Sequence, residues 1–142
     1  MPGLMPIKLA LRSLAVWAGI LALAIANGIV REAVLMPMLG HTGSLIASGL
    51  ILAGLILGVT YACLPWLGAR GMRQLLVVGL LWLALTLVFE FSFGLLRGLA
   101  LDEIMAAYTF RGGNLWPLVL AVTAAAPWLA ARLRRLPERG RR

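Results

Sequence analysis

Four long apolar blocks separated by short polar turns dominate the chain. They run approximately Leu14–Met36, Ser44–Leu67, Gln74–Leu96 and Leu115–Ala131. Each approaches the roughly 20 helical residues that cross about 30 Å of hydrocarbon. Apolar residues occupy every side of these blocks instead of alternating with polar ones. That pattern predicts helices, since the strands of a membrane barrel alternate. The second block is free of charge from His41 to Arg70, whereas the first and third contain Arg31 and Glu90.

The connections carry turn chemistry. Pro37–Gly43 and Gly68–Arg73 read as short turns. The longer stretch Gly98–Gly113 accommodates a short helix over Asp102–Tyr108, with Asp102 and Glu103 suited to its N-terminus. Leu101, Ile104, Met105 and Tyr108 would form its apolar stripe on the membrane surface. Asn114 is placed to cap the fourth block, and Pro117 fits a first helical turn. The expected fold is all-α: a polytopic four-transmembrane-helix bundle with a short outer-face amphipathic helix between spans three and four. It forms one membrane domain over residues 1–142, with 132–142 as a basic tail.

Composition strengthens this reading. The 142 residues are 62% hydrophobic and 13% charged, and mean hydropathy is +0.97. A soluble domain of this length could not bury so much apolar surface. Lys8 and Arg12 before a first apolar run resemble a signal peptide. The run continues past Asn27, however, and reads as a retained first span.

The charge of +8 is distributed asymmetrically. Lys8, Arg12, Arg70, Arg73, Arg132, Arg134, Arg135, Arg139, Arg141 and Arg142 fall on one side of a four-span topology. By the positive-inside rule that side is cytoplasmic, with both termini, in a bacterial inner membrane. The basic tail is suited to anionic headgroups, and nucleic acid is not the expected partner. Membrane lipids, a homo-oligomer or a larger membrane complex are the expected partners. Cys63 is the only cysteine and His41 the only histidine. One of each rules out an intramolecular disulfide relay and a bis-histidine haem within one chain, so no cofactor and no metal is expected.

Two further patterns concern packing. Ala62–Arg70 and Ala124–Arg132 share an A-x-x-P-W-L-x-A-R pattern. This echo admits either a duplicated hairpin or the common use of Pro, Trp and Arg at helix ends. Gly54, Gly58 and Ala62, and Ala18, Ala22 and Ala26, form small-residue ridges of the kind that lets helices approach closely.

The candidate chemistry lies in the half of the bundle opposite the basic end. Glu90 is an ionisable group inside an apolar run, on the order of 9 Å below the outer boundary at about 1.5 Å per residue. Such a charge costs roughly 3 kcal/mol on insertion scales and persists where it is paired, wetted or used. Arg31 is the expected partner. Asn27 and Arg31 share one helix face, as do Thr86, Glu90 and Arg97. One reading is an ion pair that only fixes helix register. The other is an outer-half polar site for a small ligand, lipid group or ion. There Arg31 is the positive anchor, Glu90 the proton or cation acceptor, and Asn27 and Thr86 the hydrogen-bonding groups. Glu32, Tyr108, Asn114 and Trp116 would form its rim.

Asn27-Gly28-x-x-Arg31-Glu32, Phe89-Glu90-Phe91-x-Phe93-Gly94 and Arg111-Gly112-x-x-x-Trp116-Pro117 resemble a family of small four-span bacterial inner-membrane proteins. The resemblance implies a bacterial membrane origin and no particular activity. Binding or passage of a small ligand is therefore the leading expectation, with a non-catalytic accessory subunit as the alternative. A membrane enzyme has the least support, because no nucleophile–base pair or metal cluster stands out.

Overall fold

The computed structural model describes residues 5–69, 71–106, 109 and 114–139, with the backbone alone described for 135–139. It is all-helical, with no strand among the described residues. The elements are α1 (Ile7–Val30), a π-helical turn (Arg31–Leu35), α2 (Met36–Leu67), α3 (Gly71–Leu96), the short α4 (Leu101–Ala106) and α5 (Trp116–Arg139). Three stretches are long and apolar enough to cross a membrane: Ile7–Leu67, Gly71–Leu96 and Trp116–Arg134.

The first of these stretches does not run straight. Gly40 has φ 79° and ψ 178°, a non-helical geometry that costs a glycine little and an L side chain much. The chain doubles back there. Asn27 of α1 bonds Ser48 of α2, and Arg12 near the start of α1 bonds the Trp66 carbonyl near the end of α2. Those two ties run antiparallel about a midpoint near Gly40. The turn expected over Pro37–Gly43 is therefore sharper than its composition suggests, with helix on both sides of one glycine. Gly68, at φ 72°, ends α2. Helix α5 extends beyond Ala131 into the basic tail, as far as Arg139.

Two tryptophan bonds fix the remaining register. Trp82 Nε1 donates to the Ser13 carbonyl at 3.0 Å, and Trp17 Nε1 donates to Thr86 Oγ1 at 3.0 Å. Both ties span 69 residues, so α1 and α3 run parallel. Helices α2 and α5 also run in one direction, with Gly49 against Leu115 and Arg134 donating to the Tyr61 carbonyl.

Close approach occurs where α3 meets α5. A Cβ on Gly79 would lie 1.9 Å from the Ala124 carbonyl oxygen, so only glycine fits. Around this point lie fully buried Val78, Trp82, Ala126 and Ala130. The small-residue ridges lie elsewhere. Ala18, Ala22, Ala26, Gly54, Gly58 and Ala62 are exposed, and no atom comes within 4 Å of a Cβ built on Gly54 or Gly58. Close packing within the chain uses Gly79 and Gly49 instead.

Candidate functional site

The polar residues near the middle of the bundle form a clasp between α1 and α3. Ser13 and Trp17 lie four apart on α1, and Trp82 and Thr86 lie four apart on α3, so each pair shares one helix face. Each tryptophan donates its indole N–H to the other helix, while the Thr86 hydroxyl also donates to the Trp82 carbonyl at 2.7 Å. Thr86 thus has both a donor and an acceptor role already filled. It holds helices together.

Asn27 has a similar role between α1 and α2. Its Nδ2 donates to the Ser48 carbonyl at 3.0 Å, and its Oδ1 accepts from the Ser48 hydroxyl. The residue is buried. A side-chain amide in an apolar setting needs such partners, because an unmet polar group there is costly. Asn27 and Thr86 therefore belong to the frame around the candidate site.

The charged candidates behave differently. Glu90 is partly buried on α3, and Arg97 follows seven residues later, just past the end of that helix at Leu96. No ion pair joins Arg31 to Glu90. The register explains the difference from expectation. With a constant separation of 69 residues between α1 and α3, Glu90 stands opposite Leu21, while Arg31 stands opposite Ala100. That is a displacement of about 15 Å at about 1.5 Å per residue. Arg31 folds back along its own helix, its guanidinium 3.9 Å from a Cβ built on Gly28.

Arg31 and Glu32 open the π-helical turn Arg31–Leu35. A single π turn inserted in an α-helix widens the backbone and is common at functional positions. Glu32 is exposed there. Arg97 is also exposed and stacks over the Phe93 ring at 5.4 Å from its centroid. Phe93 in turn stacks on Phe89, with centroids 5.6 Å apart. This column of two rings and a guanidinium runs beside Glu90 on α3.

The rim candidates divide. Asn114 does cap α5: its Oδ1 accepts the Trp116 backbone N–H at 3.2 Å, and its Nδ2 donates to the Thr109 carbonyl at 2.7 Å. Trp116 packs against the core, and its Nε1 is buried without a hydrogen-bond partner among the described residues. The antiparallel contact of Gly79 with Ala124 brings Glu90, eleven residues on, to the level where α5 begins. Tyr108 lies outside the described residues, as do Arg111 and the end of the expected surface helix. In α4 itself, Ile104 is buried against Gly94, while Leu101 and Met105 are exposed.

The sequence pattern did not single out Ser13, Trp17, Ser48 or Trp82. Trp82 carried a usable signal, because tryptophan favours membrane interfaces and this one stands well inside an apolar block. A mid-span indole N–H calls for a partner. Among the described residues, no group of three or more His, Cys, Asp or Glu side chains could hold a metal ion.

Comparison with known proteins finds no matching family model, curated protein or solved structure.

Proposed function

We propose that the chain is a four-span protein of a bacterial inner membrane, with its basic end cytoplasmic, that binds or passes a small ligand or ion through an outer-half site centred on Glu90. The doubling back at Gly40 supports two crossings within Ile7–Leu67, because a straight helix of 61 residues would be about three times the hydrocarbon thickness. The observation that carries the site is Glu90 itself: a partly buried carboxylate, outside any ion pair among the described residues, at the level of the α5 N-terminus. Retaining such a charge in an apolar helix is costly unless it is paired, wetted or used, and Glu90 is not paired among the described residues. Arg97 and Arg31 supply positive charge nearer the outer boundary, and Asn27 and Thr86 hold the helices that frame the site.

Proteoliposome flux of protons and monovalent cations tests this reading. Glu90→Gln is expected to lower flux at least tenfold while leaving the folded fraction unchanged. Equal flux through the wild type, Glu90→Gln and empty vesicles would contradict it.

The outward placement of the small-residue ridges on α1 and α2 favours a second reading, an accessory subunit or oligomer whose partner helices pack there. Purification in mild detergent separates the two. A stoichiometric larger complex, lost on Gly58→Leu, favours the subunit reading.

A further inference from the structure

The basic end of the bundle contains a cavity that plays no part in the site around Glu90. It has a volume of about 210 Å³ and lies where the end of α2, the start of α3 and the end of α5 meet. Leu64, Pro65, Leu75 and Ala131 give it apolar walls, while Gly71 and Arg134 bring polar groups to it. We infer that this cavity binds an anionic phospholipid, with the phosphate on Arg134 and the upper acyl chain against Leu64, Pro65 and Leu75.

Three observations support that occupant. The first is the state of Arg134. Its guanidinium is held by a 2.8 Å hydrogen bond to the Tyr61 carbonyl and sits 4.7 Å from the Tyr61 ring centroid. A guanidinium has five N–H donors in a fixed fork, so this bond orients it and leaves others for phosphate oxygens.

The second is depth. Arg12 over Trp66 and Arg132 over Trp128 form two more arginine–aromatic pairs at the same end. Aromatic and basic residues of this kind collect at headgroup level, where phosphate and the first methylenes of a lipid meet. A cavity at that depth with one cationic edge and apolar walls has the polarity of a phospholipid.

The third is charge. Lys8, Arg12, Arg73, Arg132 and Arg134 lie at this end with one acid, Glu138, whereas Glu32, Glu90, Asp102 and Glu103 lie toward the other with Arg31 and Arg97. A zwitterionic headgroup would bring its own cation into this field; phosphatidylglycerol brings none. The inference requires the basic end to lie at a membrane surface but is independent of what Glu90 does.

The test uses the full chain in a neutral detergent. Native mass spectrometry and thermal unfolding are recorded with added phosphatidylglycerol, phosphatidylcholine or soluble glycerol phosphate. Phosphatidylglycerol should be retained and should raise the melting temperature, the other two much less. Arg134→Gln is expected to weaken retention on the order of tenfold, the loss of one charge-assisted phosphate contact. Arg132→Gln, which removes the same charge outside the cavity, should change it far less. Because Arg134 also braces Tyr61, Ala131→Leu provides a second route: it fills the cavity, leaves Arg134 in place and should lower retention similarly. Equal losses for Arg132→Gln and Arg134→Gln would overturn the site in favour of diffuse charge. Equal retention of phosphatidylcholine would overturn the headgroup assignment. Binding of glycerol phosphate as tight as that of the lipid would overturn the acyl-chain half. If Arg134→Gln does not fold, undiminished retention by Ala131→Leu overturns the inference.

Discussion

Two sets of polar residues in the bundle behave in opposite ways: the uncharged ones that tie helix to helix, and the charged ones toward the end away from the basic tail. In the middle, Ser13, Trp17, Trp82 and Thr86 are joined by hydrogen bonds that fix α1 against α3. Toward the end away from the basic tail, Glu90 and Arg31 have the residue types of an ion pair without forming one, and Arg31 lies at a π-helical turn. Polar groups that complete a fold meet their partners inside it. Those that do not are candidates for an external partner. By this criterion Asn27 and Thr86 go with the frame and Glu90 with the site.

Substitutions can break this comparison, and the largest effect is expected in the frame. Gly79→Leu should abolish folding, because even a Cβ would lie 1.9 Å from the Ala124 carbonyl oxygen. Gly79→Ala should cost at least about 2 kcal/mol, as overpacking does. Gly58→Ala, with open space around it, should change stability by no more than about 0.5 kcal/mol. Reversible unfolding in bicelles measures all three.

Next is the clasp. Trp82 is fully buried, and Trp82→Ala should cost about 3–5 kcal/mol through the cavity it leaves. Trp82→Phe keeps most of the volume but loses the bond to Ser13, and should cost about 1 kcal/mol. A Phe variant as damaged as the Ala variant would place the clasp's value in its hydrogen bond rather than in packing.

Asn27→Leu should have a smaller effect, about 1–2 kcal/mol, since hydrogen bonds between membrane helices are individually modest. Ser48→Ala should remove part of the same energy, so the double variant should fall short of the sum. Full additivity would indicate that the Asn27–Ser48 pair does not act as a unit.

Much of the fold was legible in the hydrophobic pattern. The all-helical fold and its long apolar helices follow that pattern, Gly68 ends α2, and Asn114 caps α5. What hydropathy could not supply was rotation and register. Where every face is apolar, a ridge such as Gly54–Gly58–Ala62 looks the same whether it packs inward or lies open. Likewise, Arg31 and Glu90 appeared level when each was measured from its own block boundary. The tryptophan clasp sets α1 against α3 differently, and the two charges separate. A turn-rich composition over Pro37–Gly43 also concealed that one glycine makes the reversal.

The most direct test of the division between frame and site compares Glu90→Gln with Asn27→Leu in unfolding experiments in the same bicelles. Glu90→Gln should leave stability within about 0.5 kcal/mol of the wild type, while Asn27→Leu lowers it by about 1–2 kcal/mol. A loss at Glu90 as large as that at Asn27 would make the carboxylate part of the frame and would contradict the account.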